Sequence, residues 1–207
     1  LVHAADQGGG AETTFLRLHQ HYLQQGHESR LYVGRKMTNA DHVVLIPRDR
    51  PIPGLLRVTR WLDRRWGIQN LYAPWFRNLP RLFDPPPDIV HFQTLWGGGD
   101  YADLTGFARI SRKYPALVTL ADNWLITGHC ACFLDCSRWQ IGCGQCPYLE
   151  ASPKIARDTT RLNFRRKQRA LRNARVRVTT VSHWLSDCAR RSPILQGKEV
   201  HTVYNGI

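Results

Sequence analysis

No apolar run in this sequence approaches the ~20 residues that a membrane-spanning helix needs, which argues against a helical membrane span and for a soluble chain. Acidic residues are scarce: 16 Asp and Glu stand against 29 Lys and Arg, for a formal charge of +13. Leu1 to Ala4 reads as the tail of a buried strand rather than as a charged, cleavable leader, and the chain is expected to lack a few residues upstream. Internal repeats and low-complexity tracts are absent. Nucleic-acid binding is not expected either, because no helix-turn-helix, RNA-recognition or paired-finger pattern accompanies the positive charge. What is present, 43% hydrophobic and 10% aromatic residues over 207 positions, excludes a disordered chain and suits one domain with one core.

The opening parses as strand, glycine loop, helix, strand. Gly8, Gly9 and Gly10 form the turn, Ala11, Phe15, Leu18 and Tyr22 share one helix face, and Gly26 ends the helix before "SRLYVG". A basic, tryptophan-bearing helix follows at 55–66, with Leu55, Val58 and Leu62 apolar among four arginines. Its pattern suits a packed surface helix or one lying on a membrane. Further strands are expected at 88–92, 116–121, in "VRVTTVS" and in "EVHTVYNGI", with helices at about 101–113, about 155–173 and from His183. This alternation predicts an α/β fold, a doubly wound parallel sheet with helices on both faces. Ligands of such sheets bind where strand C-termini open into loops. That rule puts Gly8–Gly10, the second glycine loop with Gly97 and Gly98, and Asp122, Asn123, Trp124 and Thr127 on one rim.

Charge and cysteine are both concentrated. Residues 157–177 hold nine Lys or Arg against one Asp, a solvated helix face or an anion-binding surface. Five of the six cysteines fall in "CACFLDCSRWQIGCGQCP", residues 130–147. Disulfides, a metal site and an iron–sulfur cluster are all compatible with cysteines so clustered.

Four stretches, "DQGGGAETTFLRLHQHYLQQGHESRLYVG", "DIVHFQTLWGG", "TLADNWLITGHCACFLDCSRWQIGCGQCP" and "VSHWLSDCARRSPIL…VHTVYNGI", resemble in that order the N-terminal domain of a family 4 glycosyltransferase of GT-B architecture. Residues 35–84 are unmatched. The resemblance implies a Rossmann-like domain over residues 1–207 with a cysteine-rich loop insertion. It further implies transfer of a sugar, with retention, from a nucleotide-sugar donor to a saccharide or lipid-linked acceptor in polysaccharide or glycolipid synthesis. In such enzymes the N-terminal domain mostly holds the acceptor, and "VYNGI" is similar to the boundary before a donor-binding C-terminal domain, which is expected to lie outside this chain. A cytoplasmic location follows, peripheral on the inner membrane face if the basic helices meet an anionic surface.

Gly8, Gly9 and Gly10 fit the anion-binding part of that chemistry, since backbone N–H groups at a helix N-terminus point unpaired donors at phosphate. His91 and Asp122 are the catalytic candidates. Where the family commonly has His-Asp this chain has Ala121-Asp122, and alanine has no side-chain hydrogen bond to give. A non-catalytic saccharide- or lipid-binding domain of the same fold is the alternative. Cys130, Cys136, Cys143 and Cys146 fall on the family's pattern and Cys132 does not. In a reducing cytosol they are expected to hold a structural zinc, with His129 and Cys132 as substitute ligands.

Overall fold

Seven short strands alternate with helices along the computed structural model, which describes residues 1–48, 52–93, 95–96 and 101–206. The strands are β1 (Val2–Ala5), β2 (Leu31–Arg35), β3 (Val43–Leu45), β4 (Val90–Phe92), β5 (Ala116–Leu120), β6 (Val176–Thr180) and β7 (Val200–Thr202). The helices are α1 (Gly10–Gln24), α2 (Pro53–Trp66), α3 (Pro74–Arg77), α4 (Leu104–Lys113), α5 (Thr160–Arg172) and α6 (His183–Arg191). All pairings are parallel, in the order β3-β2-β1-β4-β5-β6-β7, with Val2 opposite Tyr32 and Val90 opposite Ala116. The order reverses between β1 and β4, which makes that gap the topological switch point of a doubly wound, Rossmann-like sheet.

Successive strand residues face opposite sides, and each side has its own cover. Leu31, Val33 and Val43 pack with Phe15 of α1 on one face. On the other, Val2, Ala4, Tyr32, Val90 and Phe92 join the larger core, where the Phe92 ring meets Phe107 of α4 edge-on at 5.1 Å. A parallel sheet buried on both faces needs such near-continuous apolar strands.

Several boundaries differ from the sequence reading, each for a polar reason. The α4 helix starts at Leu104 rather than near 101, because Asp103 caps it. One Asp103 oxygen accepts from the Gly106 amide at 2.5 Å, and the other accepts from the Ala73 amide and from Arg77. Likewise α5 begins at Thr160 rather than 155, since Asp158 accepts from the Thr160 amide and hydroxyl and bends the preceding chain away. The buried side of α1 is Phe15 and His19; Leu18 and Tyr22 are only partly covered. His19 reaches it by bonding Ser29 at 2.7 Å and stacking on His42 at 4.4 Å, so a residue counted as polar belongs to the core face. Residues 35–84 supply β3, α2 and α3, of which only the helix at 55–66 was anticipated.

Between β5 and α5 the chain runs through residues 121–159 with only two short 3-10 turns, Trp124–Ile126 and Arg138–Gln140. This is the expected cysteine-rich insertion. Among the described residues, no helix is long and apolar enough to cross a membrane.

Candidate functional site

At the switch point the end of β1 is fixed by Asp6. Its carboxylate accepts from the Met37 and Thr38 amides at 2.7 and 2.9 Å and from the Thr38 hydroxyl at 2.5 Å. Burial works to raise its pKa, but these bonds outweigh it and hold the carboxyl below the ordinary range. The glycine loop follows, exposed, with Gly9 as the α1 N-cap. One feature there was not foreseen: the Gly9 amide already donates to Glu12 at 2.8 Å, so a carboxylate of the chain itself sits where an anion was expected. Across the switch point Gln93 is buried at the end of β4, and its side-chain oxygen has no hydrogen-bond partner among the described residues. Gly97 and Gly98 lie outside the described residues.

Beyond β5, Ala121 is exposed and Asp122 half-buried. Asp122 accepts from the Trp96 indole and from the Trp124 amide, both at 2.8 Å, which ties the β4 and β5 loops together. Burial pushes its carboxyl up, against the pull of those two bonds and of Lys167. The neighbours picked from sequence behave differently. Asn123, Trp124 and Thr127 are turned inward: the Trp124 indole donates to Gln69 at 2.8 Å, and the Thr127 hydroxyl donates to the Cys130 carbonyl at 2.7 Å. Their side chains are buried and hold the insertion in place, and Trp124 also lines a small space beside Gln93, Trp96 and Asp122. His91 is also interior, edge-on to Phe15 at 5.4 Å and 2.7 Å from the Thr119 hydroxyl. Burial drives its pKa down to about 3, so it is neutral imidazole packed under α1 rather than a rim residue.

The rim does open on a pocket, one built largely by residues the sequence reading passed over. A cavity of about 350 Å³ lies between α2, the β4–α4 connection and the cysteine-rich segment. Arg60, Asp63 and Arg64 project from α2; Asn70, Tyr72, Trp96 and Tyr101 line the floor, and Lys154 closes one side. Its size falls at the lower end of small-ligand sites. Guanidinium, carboxylate and aromatic groups converging on one space can bond vicinal hydroxyls and cover the apolar face of a sugar ring. No signal short of tertiary structure would have found it, because residues 60–72 show no motif.

The thiols converge on a second, smaller space. Cys130, Cys136, Cys143 and Cys146, together with His129, line a cavity of about 20 Å³ walled by Phe133 and Trp139. Cys132 is exposed and outside it, and Cys188 is buried elsewhere, as a small hydrophobe. The backbone wraps this space through four successive left-handed residues, with φ of 108, 58, 94 and 50° from Gly142 to Gln145. Such a turn suits the two glycines and strains Cys143 and Gln145. All six cysteines are free thiols, and burial raises Cys143 to about 12 and shifts Cys130 and Cys146 upward. His129 lies 3.5 Å from the Cys146 sulfur. Among the described residues, no three or more His, Cys, Asp or Glu side chains stand so that they could hold a metal ion as placed. The donor types and their shared cavity suit zinc; their spacing is not that of a coordinated ion.

Above the thiols sits Lys167, 1% exposed. Its ammonium donates to the Trp124 and Thr127 carbonyls at 2.5 and 3.1 Å and lies 3.5 Å from the centre of the Trp124 ring. Burial pulls its pKa well down, opposed by Cys130, Cys143 and Asp122. The sequence reading had placed it in a solvated charge run. Arg166 also leaves that run, donating to the Gln69 and Asn70 carbonyls at 2.5 and 3.0 Å.

Comparison with known proteins adds the class. A 163-residue stretch, 72% of this chain, is 26% identical to an Escherichia coli K12 protein assigned as the colanic acid biosynthesis glycosyl transferase WcaC. The chain spans 39% of that relative's length. The family model for glycosyltransferase family 4 matches residues 8–207, from the glycine loop to the last residue. With that match on a doubly wound sheet opening at its switch point, the chain belongs to glycosyltransferase family 4.

Proposed function

We propose that this chain is the acceptor-side domain of a retaining glycosyltransferase that moves a hexose-type sugar from a nucleotide-sugar to a saccharide or lipid-linked acceptor in polysaccharide or glycolipid synthesis. The observation that carries the reading is the polar, aromatic-floored cavity of about 350 Å³ on the C-terminal rim of the sheet, bounded by Asp63, Tyr72 and Trp96. It faces the side on which a second, donor-binding domain would close. The isolated domain would then bind acceptor and transfer nothing. The glycine loop would meet the donor diphosphate through its backbone amides, with Glu12 giving up the Gly9 N–H that it now holds. Asp122, held by Trp96, would be the polar group nearest the reacting sugar, acting by position and hydrogen bonding rather than as a base. In the full-length protein Asp63→Asn should raise KM for the acceptor about tenfold and leave KM for the donor unchanged. A change confined to the donor KM would overturn this assignment of the pocket.

The same reading sets the chain in the cytoplasm, at the inner membrane face. A structural zinc on Cys130, Cys136, Cys143 and Cys146 belongs with it, supported by their common cavity, and would pin the insertion without touching the reaction. Metal analysis of the purified chain should give one zinc per chain, and Cys136→Ser should lower that figure. Full metal retention in the variant would remove Cys136 from the ligand set.

Ala121 favours a second reading, binding without transfer, because the exposed rim position lacks the family's histidine. Ala121→His in the full-length protein discriminates. A gain in kcat indicates a weakened enzyme, and no turnover in either form indicates a binding domain.

A further inference from the structure

The side-chain oxygen of Gln93 does nothing for the fold. Gln93 closes β4 at the switch point, where its backbone amide donates to the Val2 carbonyl of β1 at 3.2 Å, and the residue is 3% exposed. Among the described residues nothing donates to its Oε1. A buried acceptor left unpaired is a penalty that an apolar side chain of the same shape would avoid.

Gln93 lines a space of about 10 Å³ together with Leu95, Trp96, Ala121, Asp122 and Trp124. The polar hydrogens around it are engaged elsewhere. Trp96 gives its indole N–H to Asp122 and Trp124 gives its own to Gln69, both at 2.8 Å. The Thr119 hydroxyl lies between His91 and Thr179, 2.7 Å from each. Each Asp122 oxygen accepts one bond and has a lone pair to spare. The space therefore offers acceptors, a carboxylate among them, which suits a hydroxyl and disfavours phosphate. Its volume holds one water or one hydroxyl and no ring. Ala121 also lines it and is exposed, so the space meets the rim beside a side chain too small to block it.

We infer that Gln93 reads one hydroxyl of a bound sugar. The hydroxyl enters from the rim and donates to Oε1, while the ring stays outside against Ala121 and Asp122. Gln93 is then a specificity-determining residue, and the inference rests on the reading of this rim as the place of sugar transfer. A sugar that lacks the hydroxyl, or carries it in the opposite configuration, leaves Oε1 buried and unpaired. Sites that use a buried polar group in this way reject the wrong sugar more strongly than an apolar contact does.

The test separates recognition from folding. Gln93→Met keeps the length of the side chain and removes the oxygen. Its urea midpoint should equal or exceed the parent's, since no internal bond is lost. Saturation-transfer NMR of the purified chain with D-glucose, D-galactose, D-mannose and L-fucose should show contact with at least one, weakened about tenfold in Gln93→Met. One monodeoxy form of that sugar should bind the parent as weakly as it binds the variant. A rise confined to the donor KM of full-length Gln93→Met assigns the hydroxyl to the transferred sugar, and a rise confined to the acceptor KM assigns it to the acceptor. A lowered midpoint with unchanged sugar contact would make Gln93 structural and overturn the inference. So would contact with none of the four sugars, or equal discrimination by parent and variant across the monodeoxy series, the result expected of a fixed water in the space. The pocket reading is tested apart, because it fails if Asp63→Asn moves the donor KM alone, whatever Gln93→Met does.

Discussion

The sheet-and-helix body and the cysteine-rich insertion are held by different forces. In the body, Phe92 and Phe107 are fully buried and touch edge-on, and strand residues on both faces exclude water. Stability there scales with apolar area, at roughly 25 cal/mol per Å². In the insertion, residues 123–130 are buried but hardly any regular hydrogen bonding accompanies them. Lys167, Asp158 and Thr160 do that work instead. Asp158 takes the Cys146 amide at 2.8 Å, and the Thr160 hydroxyl takes the Gly144 amide at 2.9 Å. One region rests mainly on buried apolar area, with a few polar anchors such as Asp6 and Asp103, and the other on single polar links.

The largest expected effect tests the body. Phe107→Ala should cost about 3–5 kcal/mol in urea unfolding and lower hydrogen-exchange protection throughout, because the sheet supports everything else. Lys167→Ala should cost about 2–3 kcal/mol, since it orphans the Trp124 and Thr127 carbonyls, with protection lost first at 121–159. Uniform loss in that variant would mean the two regions unfold as one unit and would dissolve the comparison. If the thiols hold zinc, a chelator should reproduce the Lys167→Ala pattern without affecting the body.

Acid sharpens the contrast. His91 and His19 are held neutral by burial at about 3 and about 4, against about 6.5 in an unfolded chain. The unfolded state then binds more protons below about pH 6.5, so the body's stability is complete above that value and declines as pH falls toward 4 and then 3. His91→Gln should flatten that decline in a pH series of urea midpoints. Asp158, in the insertion, has its pKa lowered: burial acts to raise it, and hydrogen bonds from Thr160 and the Cys146 amide prevail. Its contribution is present above the ordinary carboxylate range and is lost below it, so the body should weaken at a higher pH than this link. The smallest effect is expected of Cys132→Ser, within about 0.5 kcal/mol, because Cys132 is exposed and lies outside the cavity that the other thiols line.

The body was legible in the sequence because alternation and glycine punctuation are local signals: β5 and β6 fall where "ALVTLA" and "VRVTTVS" place them. The convergence of Cys130, Cys136, Cys143 and Cys146 was legible through the resemblance to the family's cysteine pattern. The pocket was not, since Arg60, Tyr72, Trp96 and Lys154 meet only through tertiary contacts. Nor was the fate of Asn123, Trp124 and Thr127, where a rim position in sequence carries no information about which way a side chain turns. Lys167 differs from its neighbours in the charge run only through what lies beneath it.

Both margins of the sheet are short. The outermost strands β3 and β7 are three residues each, so the backbone donors and acceptors they leave unpaired form no long straight row. A neighbouring chain seeking to extend the sheet finds almost no template there, and crowding of many copies at one place should not propagate into strand-on-strand polymers.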